Sequence, residues 1–277
     1  MIPQLIVDNL SVRIRTPHRL VEAVRGISFQ VGREKVGIVG ESGSGKTMTG
    51  RAILKLTPPR AKIDAQHLMF QDVDLLRASE RDMLKVRGRR ISMIMQDPRF
   101  SLDPVMRVGD QIAEAIPQER RGTRAQDRDR VLNMLAAVRI HNPNRVYDLY
   151  PHEVSGGMGQ RIMIAMMLVP EPALLIADEP TSALDVTVRM QVLAVLDELV
   201  SERGLGCIFI SHDLNLVASF CDRVLIMYAG RIVEACRAGE LREAQHPYTR
   251  GLLASLPRIG ARREHLAVLA RDAAWLT

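Results

Sequence analysis

Between Gly40 and Thr47 the chain reads GESGSGKT, eight residues that follow the apolar run VGIVG and precede a stretch of helical character. This is the pattern G-x-x-x-x-G-K-[ST] in the context it requires, a strand before it and a helix after it. Gly40, Gly43 and Gly45 let the backbone double back, so that the loop through Glu41, Ser42 and Ser44 turns consecutive N–H groups inward at phosphate oxygens. Lys46 is expected to bridge the β- and γ-phosphates, and the Thr47 hydroxyl to ligate Mg²⁺. The chemistry is capture of a nucleoside triphosphate.

A metal-bound triphosphate also needs a carboxylate at the end of a buried strand. The run ALLIADEP supplies Asp178 as that ligand and Glu179 one step beyond it. A second acid beside the metal ligand suits a general base that polarises the attacking water. The two motifs together point to hydrolysis rather than to binding alone.

The elements that must position these groups can be read from hydropathy. VGIVG, ISMIMQ, ALLIADE, CIFISH and RVLIMY are short apolar runs rich in valine and isoleucine, as expected of strands buried on both faces of a parallel sheet. Helical periods lie between them, at Ile162, Ala165, Met166 and Val169, and at Val192, Leu193, Leu196, Leu199 and Val200. The alternation predicts an α/β core. Leu5 to Val31 alternates apolar and polar residues, which predicts antiparallel strands laid against that core. From about Asp97 to Gln160 strand signals are absent and Pro104, Pro117 and Pro143 punctuate helical patterns such as VLNMLAAV, so a helical subdomain inserted at about 97–163 is expected. Residues 1–257 then form one nucleotide-binding domain, followed by a C-terminal tail, 258–277.

Composition narrows the class. Of 277 residues 47% are apolar and 25% charged, an ordinary globular balance. The net charge of +6 is spread among acidic neighbours, as in ERRGTRAQDRDR, so no nucleic-acid arm is indicated. Three separated cysteines without a C-x-x-C pair suggest neither a disulfide framework nor a zinc site. The N-terminus has no signal-peptide pattern, and Pro170, Glu171 and Pro172 interrupt the most apolar region before it reaches spanning length.

VSGGMGQR, Val154 to Arg161, resembles the signature motif of ATP-binding cassette (ABC) proteins, and the other cassette elements follow the family order. They are the phosphate loop, Gln96 in MQDP, the signature, LLIADE, SALD at Ser182 to Asp185, and ISHD with His212. The resemblance covers roughly residues 4 to 257. It implies a P-loop NTPase (RecA-like) parallel-sheet core with an N-terminal antiparallel β subdomain and an inserted α-helical subdomain. It further implies that Gln96 senses the γ-phosphate and joins Thr47 and Asp178 at Mg²⁺, and that His212 orients the water with Glu179. Asp185 would lie across a dimer interface. Ser155, Gly156 and Gly157 open a helix, which makes a second anion site. In the family that site closes over ATP held by a second cassette.

Longer matches, above all HPYTRGLLASLP, resemble the ATPase subunits of peptide and nickel importers. By that resemblance the partners are a second, non-identical ATPase subunit, two transmembrane permease subunits and, indirectly, an extracytoplasmic substrate-binding protein, and the location is the cytoplasmic face of the inner membrane. Three departures stand out. Ile14 occupies the position of an adenine-stacking aromatic, a role that His18 or a neighbour could supply. Val154 and Met158 replace leucine and glutamine in the signature. No cysteine cluster follows Cys236, which predicts no iron–sulfur site and leans toward the shorter nickel or metallophore type. The alternatives are a DNA-maintenance or ribosome-associated cassette ATPase. The first normally carries a long coiled-coil insertion, which is lacking here, and the second two cassettes in one chain.

Overall fold

The structure, a computed structural model, describes residues 3–96, 101–182 and 184–255. In chain order the elements begin with β1 (Leu5–Arg15), β2 (Leu20–Val31), β3 (Lys35–Val39), α1 (Lys46–Ile53), β4 (Ala61–Asp64), β5 (His67–Phe70) and β6 (Val73–Asp74). They continue through α2 (Glu80–Val86), β7 (Ile91–Ile94), α3 (Val108–Glu114), α4 (Arg124–Ala137), α5 (Pro143–Tyr147), α6 (Gly156–Leu168), β8 (Leu174–Asp178) and α7 (Val186–Glu202). The last are β9 (Gly206–Ser211), α8 (Leu214–Phe220), β10 (Arg223–Tyr228), β11 (Arg231–Arg237) and α9 (Pro247–Ser255). All five apolar runs fall on strands, β3 and β7 to β10.

The chain forms two compact units, Met1–Arg77 with Ile208–Thr277, and Ala78–Cys207. In the first, the alternation of Leu5 to Val31 produces the expected antiparallel hairpin, with Leu5 paired to Val31 and Arg15 to Leu20. Leu5, Val7, Leu10 and Val12 are buried. The apolar side slips by one residue at Asn9, where a φ of 50° and a register shift bulge the strand so that Leu10 as well as Val7 faces inward. β4 and β5 pair antiparallel with β1, and β6 with β5. The same unit holds β10 parallel to β3 and antiparallel to β11. Helix α8 covers β3 closely, since a Cβ on Gly37 would lie 2.1 Å from Val217 Cγ1. Gly37 is therefore there for helix packing and not for the phosphate loop that follows it.

In the second unit β7 and β8 pair in parallel, from Ile91 opposite Leu174 to Ile94 opposite Ala177. The segment 101–155 is helical wherever it is regular, as its patterning predicts. Helix α4 starts at a reciprocal cap, the Thr123 hydroxyl accepting from Gln126 N–H while Gln126 Oε1 accepts from Thr123 N–H at 2.8 Å. In α7 the apolar stripe is buried as expected. In α6 it is broader than the sequence period suggests. Ile162, Met163, Ile164 and Ala165 are all buried while Met166 and Val169 are partly exposed, because the helix packs on α3, α4, α7 and β7 together. The expected tail, 258–277, and Asp97 at the start of the helical subdomain lie outside the described residues.

Candidate nucleotide site

The residues expected at the site divide between the two units. In the first, β3 ends at Val39 and α1 begins at Lys46, so the glycine-rich loop is the turn between a buried strand and a helix. Gly43 and Gly45 have φ of 81° and 105°. A Cβ on Gly45 would meet Ala23 O at 2.4 Å, and one on Gly40 would meet Met227 O at 2.1 Å, so both positions also require the absence of a side chain. Within the loop Ser44 N–H donates to Glu41 O at 3.1 Å.

Lys46 is 5% exposed, and its Nζ donates to Gly40 O at 2.8 Å and Glu41 O at 2.9 Å, so the ammonium is held inside the turn. Ser44 Oγ is buried and has no hydrogen-bond partner among the described residues. Such an atom is costly unless something else satisfies it. Helix α1 starts directly after Gly45, a position with no side chain to cap it, so a helix N-terminus opens at the loop. A hollow of about 180 Å³ opens here, lined by Glu41, Ser42, Gly43, Ser44, Tyr228 and Ala229. A hollow lined by the loop and by Ser44, whose hydroxyl is orphaned, in the same turn as a buried lysine and a helix N-terminus, fits a polyphosphate.

In the second unit Asp178 ends β8 and is 3% exposed. Glu179, the next residue, is partly buried and has a φ of 47°, the left-handed region that a glutamate seldom adopts. Gln96, exposed just beyond β7, donates its side-chain N–H to Glu179 Oε2 at 3.2 Å. The parallel pairing of β7 with β8 is what delivers these two side chains to one another. The Ser182 hydroxyl donates to Glu179 O, also at 3.2 Å. The Asp178 carboxylate and Gln96 carboxamide of this unit are hard oxygen donors, as is the Thr47 hydroxyl of the first, and such donors suit Mg²⁺.

The remaining site residues have local tasks. Ser155 caps α6 by accepting Met158 N–H at 3.3 Å. Gly156 is open, with nothing within 4 Å of a built Cβ, whereas a Cβ on Gly157 would lie 2.6 Å from Val188 Cγ1 of α7. Gly157 is therefore a contact point between two helices, a reason the sequence does not disclose. Asp185 Oδ1 accepts from Thr187 N–H and Val188 N–H, each at 3.1 Å, and caps α7. His212 is exposed directly after β9. Ile14 is partly buried on β1, opposite Val21 of β2 and Ala61 of β4.

Sequence reasoning missed the support of the phosphate loop. The Tyr248 hydroxyl of α9 accepts Glu41 N–H at 3.1 Å, and Gly230 N–H donates to Ser44 O at 2.9 Å. Tyr248 lies in HPYTRGLL, which is legible as a subfamily marker but carries no spacing that links it to residue 41.

A family profile described as ABC transporter matches residues 24–182. The dipeptide transport ATP-binding protein DppD of Bacillus subtilis is 46% identical over 258 residues, 92% of this chain and 77% of its own length. The oligopeptide transport ATP-binding protein OppD of the same organism is 44% identical, over 91% of this chain and 72% of its own. Among solved structures, the dimeric bacterial ABC transporter cassette MJ0796 superposes with a TM-score of 0.75 at 24% identity, covering 84% of this chain and 98% of that one. The chain belongs to the ABC transporter family, as an ATPase subunit. Its fold is the P-loop NTPase α/β fold with parallel and antiparallel sheets.

Proposed function

We propose that this chain hydrolyses ATP to energise peptide uptake through an ABC importer at the cytoplasmic face of the inner membrane. The observation that carries the ATP half is the phosphate loop, with its buried Lys46 and orphaned Ser44 hydroxyl at the start of α1. Peptide as cargo is supported by the relatives, which are named for dipeptide and oligopeptide transport. The lean toward nickel or a metallophore, taken from the lack of a cysteine cluster after Cys236, has no such support.

In this reading the loop N–H groups and Lys46 hold the β- and γ-phosphates. Thr47, Asp178 and Gln96 hold Mg²⁺, which neutralises phosphate charge. Glu179 takes the proton of the attacking water, its carboxylate oriented by Gln96, and His212 contacts the γ-phosphate. Ile14 lies beside the adenine. Ser155, Gly156 and Gly157 close on ATP held by a second, non-identical ATPase subunit, with Asp185 at that interface. Closure moves the helical subdomain against two permease subunits, and an extracytoplasmic binding protein delivers the cargo. Among the described residues no helix is long and apolar enough to cross a membrane, which suits a subunit docked on permeases.

The test has two readouts. The chain is purified from its own cell's solubilised membranes, and uptake of a labelled dipeptide and a labelled oligopeptide is followed in cells lacking it. Co-purification of two permeases and a second cassette with lost peptide uptake is the expected result. Recovery of ribosomes or DNA-repair proteins with uptake intact would overturn it.

A further inference from the structure

Beyond the residues proposed to contact nucleotide, the side chain of Tyr248 joins helix α9 to the phosphate loop. Tyr248 is fully buried, its ring 4.5 Å from that of Tyr228 and tilted by 43°. Its hydroxyl accepts the N–H of Glu41, the second residue of the loop. Tyr228 and Ala229 line the hollow over Ser42 to Ser44, and the next residue, Gly230, donates to Ser44 O. The loop is thus held at two points by residues far along the chain.

The position of Tyr248 is itself specified. Glu234, on β11, accepts Gln245 N–H at 2.6 Å and His246 N–H at 3.3 Å through Oε1, capping the approach to α9 from a different element. Tyr248 N–H then donates to His246 Nδ1 at 3.2 Å. Burial pushes the Glu234 carboxyl up, but the Thr249 hydroxyl and the two N–H groups outweigh it and hold the carboxyl below its ordinary range. The ionised form is therefore the one that anchors the helix start.

A loop that presents converging N–H groups before phosphate arrives loses less freedom on binding, and that saving appears as affinity. We propose that Tyr248 is a positioning residue for the phosphate loop, kept in place by the Glu234-anchored start of α9, so that the C-terminal segment sets ATP affinity without touching ATP. The proposal rests on the reading that Gly40–Thr47 binds nucleotide.

Tyr248→Phe keeps the ring and its packing on Tyr228 and removes only the hydroxyl. Titrating the full chain with trinitrophenyl-ATP, the variant should bind about two- to tenfold more weakly, the span of one hydrogen bond. In steady-state hydrolysis the loss should fall on KM for ATP more than on kcat. Glu234→Gln should weaken binding in the same direction, and the double variant should lose less than the product of the two single losses, because both act through one contact. Wild-type affinity in Tyr248→Phe overturns the positioning role, and independent, multiplicative losses overturn the link to Glu234. Lys46→Ala separates this from the underlying reading. If that variant binds the probe as well as wild type, the loop is not the nucleotide site; if it fails to bind while Tyr248→Phe is unaffected, only the proposal falls.

Discussion

Gln96 Nε2 lies 3.2 Å from Glu179 Oε2, joining the second residue past β7 to the first residue past β8. The contact aims a carboxylate whose backbone is already constrained by a φ of 47°. A residue held in that region costs about 1–3 kcal/mol and persists where its surroundings over-determine it. Glu179→Gln keeps the backbone and the shape and removes the carboxylate proposed as the base. Hydrolysis should fall by about 10²- to 10⁴-fold, the contribution of a positioned general base, while ATP stays bound. Phosphate release and nucleotide titration on the same preparation check this, and hydrolysis at the normal rate would remove Glu179 from its role.

Gly156 and Gly157 are adjacent in the signature and should respond differently to alanine. Gly157→Ala drives a Cβ to 2.6 Å from Val188 Cγ1 and should destabilise the chain by about 1–3 kcal/mol. Val188→Ala should restore part of that loss. Gly156→Ala meets nothing within 4 Å, so its stability should stay near wild type. Denaturant melts of the four chains decide the matter. An unaltered midpoint for Gly157→Ala would show that α6 and α7 are not in contact there.

Ala229 and Gly230 form a two-residue hairpin turn between β10 and β11 with φ of 45° and 87°. Positive φ at both central residues is the type I′ turn, for which Asn-Gly is the preferred pair. Ala229→Asn should raise stability by roughly 0.5–1 kcal/mol, since asparagine tolerates the left-handed region that strains alanine. A lowered melting temperature would contradict it.

Glu234 gives a pH dependence with a definite sign. Its folded pKa lies below the ordinary glutamate value, so its stabilisation is present in full above the unfolded pKa and is lost as pH falls through the folded one. The stability difference between wild type and Glu234→Gln should be constant at neutral pH and shrink on the acid side, below the usual range for glutamate. Urea melts of both chains across that range measure it. A difference that grows on acidification would reverse the sign.

How much of this could be read from the sequence depended on range. The strands β3, β7, β8, β9 and β10 announce themselves as local apolar runs, and the β1–β2 hairpin as alternation. Strands β4 to β6 are short, with polar residues such as Lys62, Asp64 and Asp74, and β11 is partly exposed along its length, so none carries a strong local signal. The phosphate loop is legible because its chemistry is confined to eight consecutive positions. The reason for Gly37 lies at Val217, that for Gly157 at Val188, and the support of Glu41 at Tyr248. Those contacts exist only after folding, and a residue type alone does not reveal them.

The hydrogen bond from Glu41 to Tyr248 spans 207 positions of the chain. During synthesis the glycine-rich turn leaves the ribosome early, and the tyrosine that steadies it emerges only after the whole Ala78–Cys207 unit has been made. A growing chain therefore carries this turn without its tyrosine for most of its translation, and under the proposed role of Tyr248 a finished grip on nucleotide also reports that the message has been read through to α9.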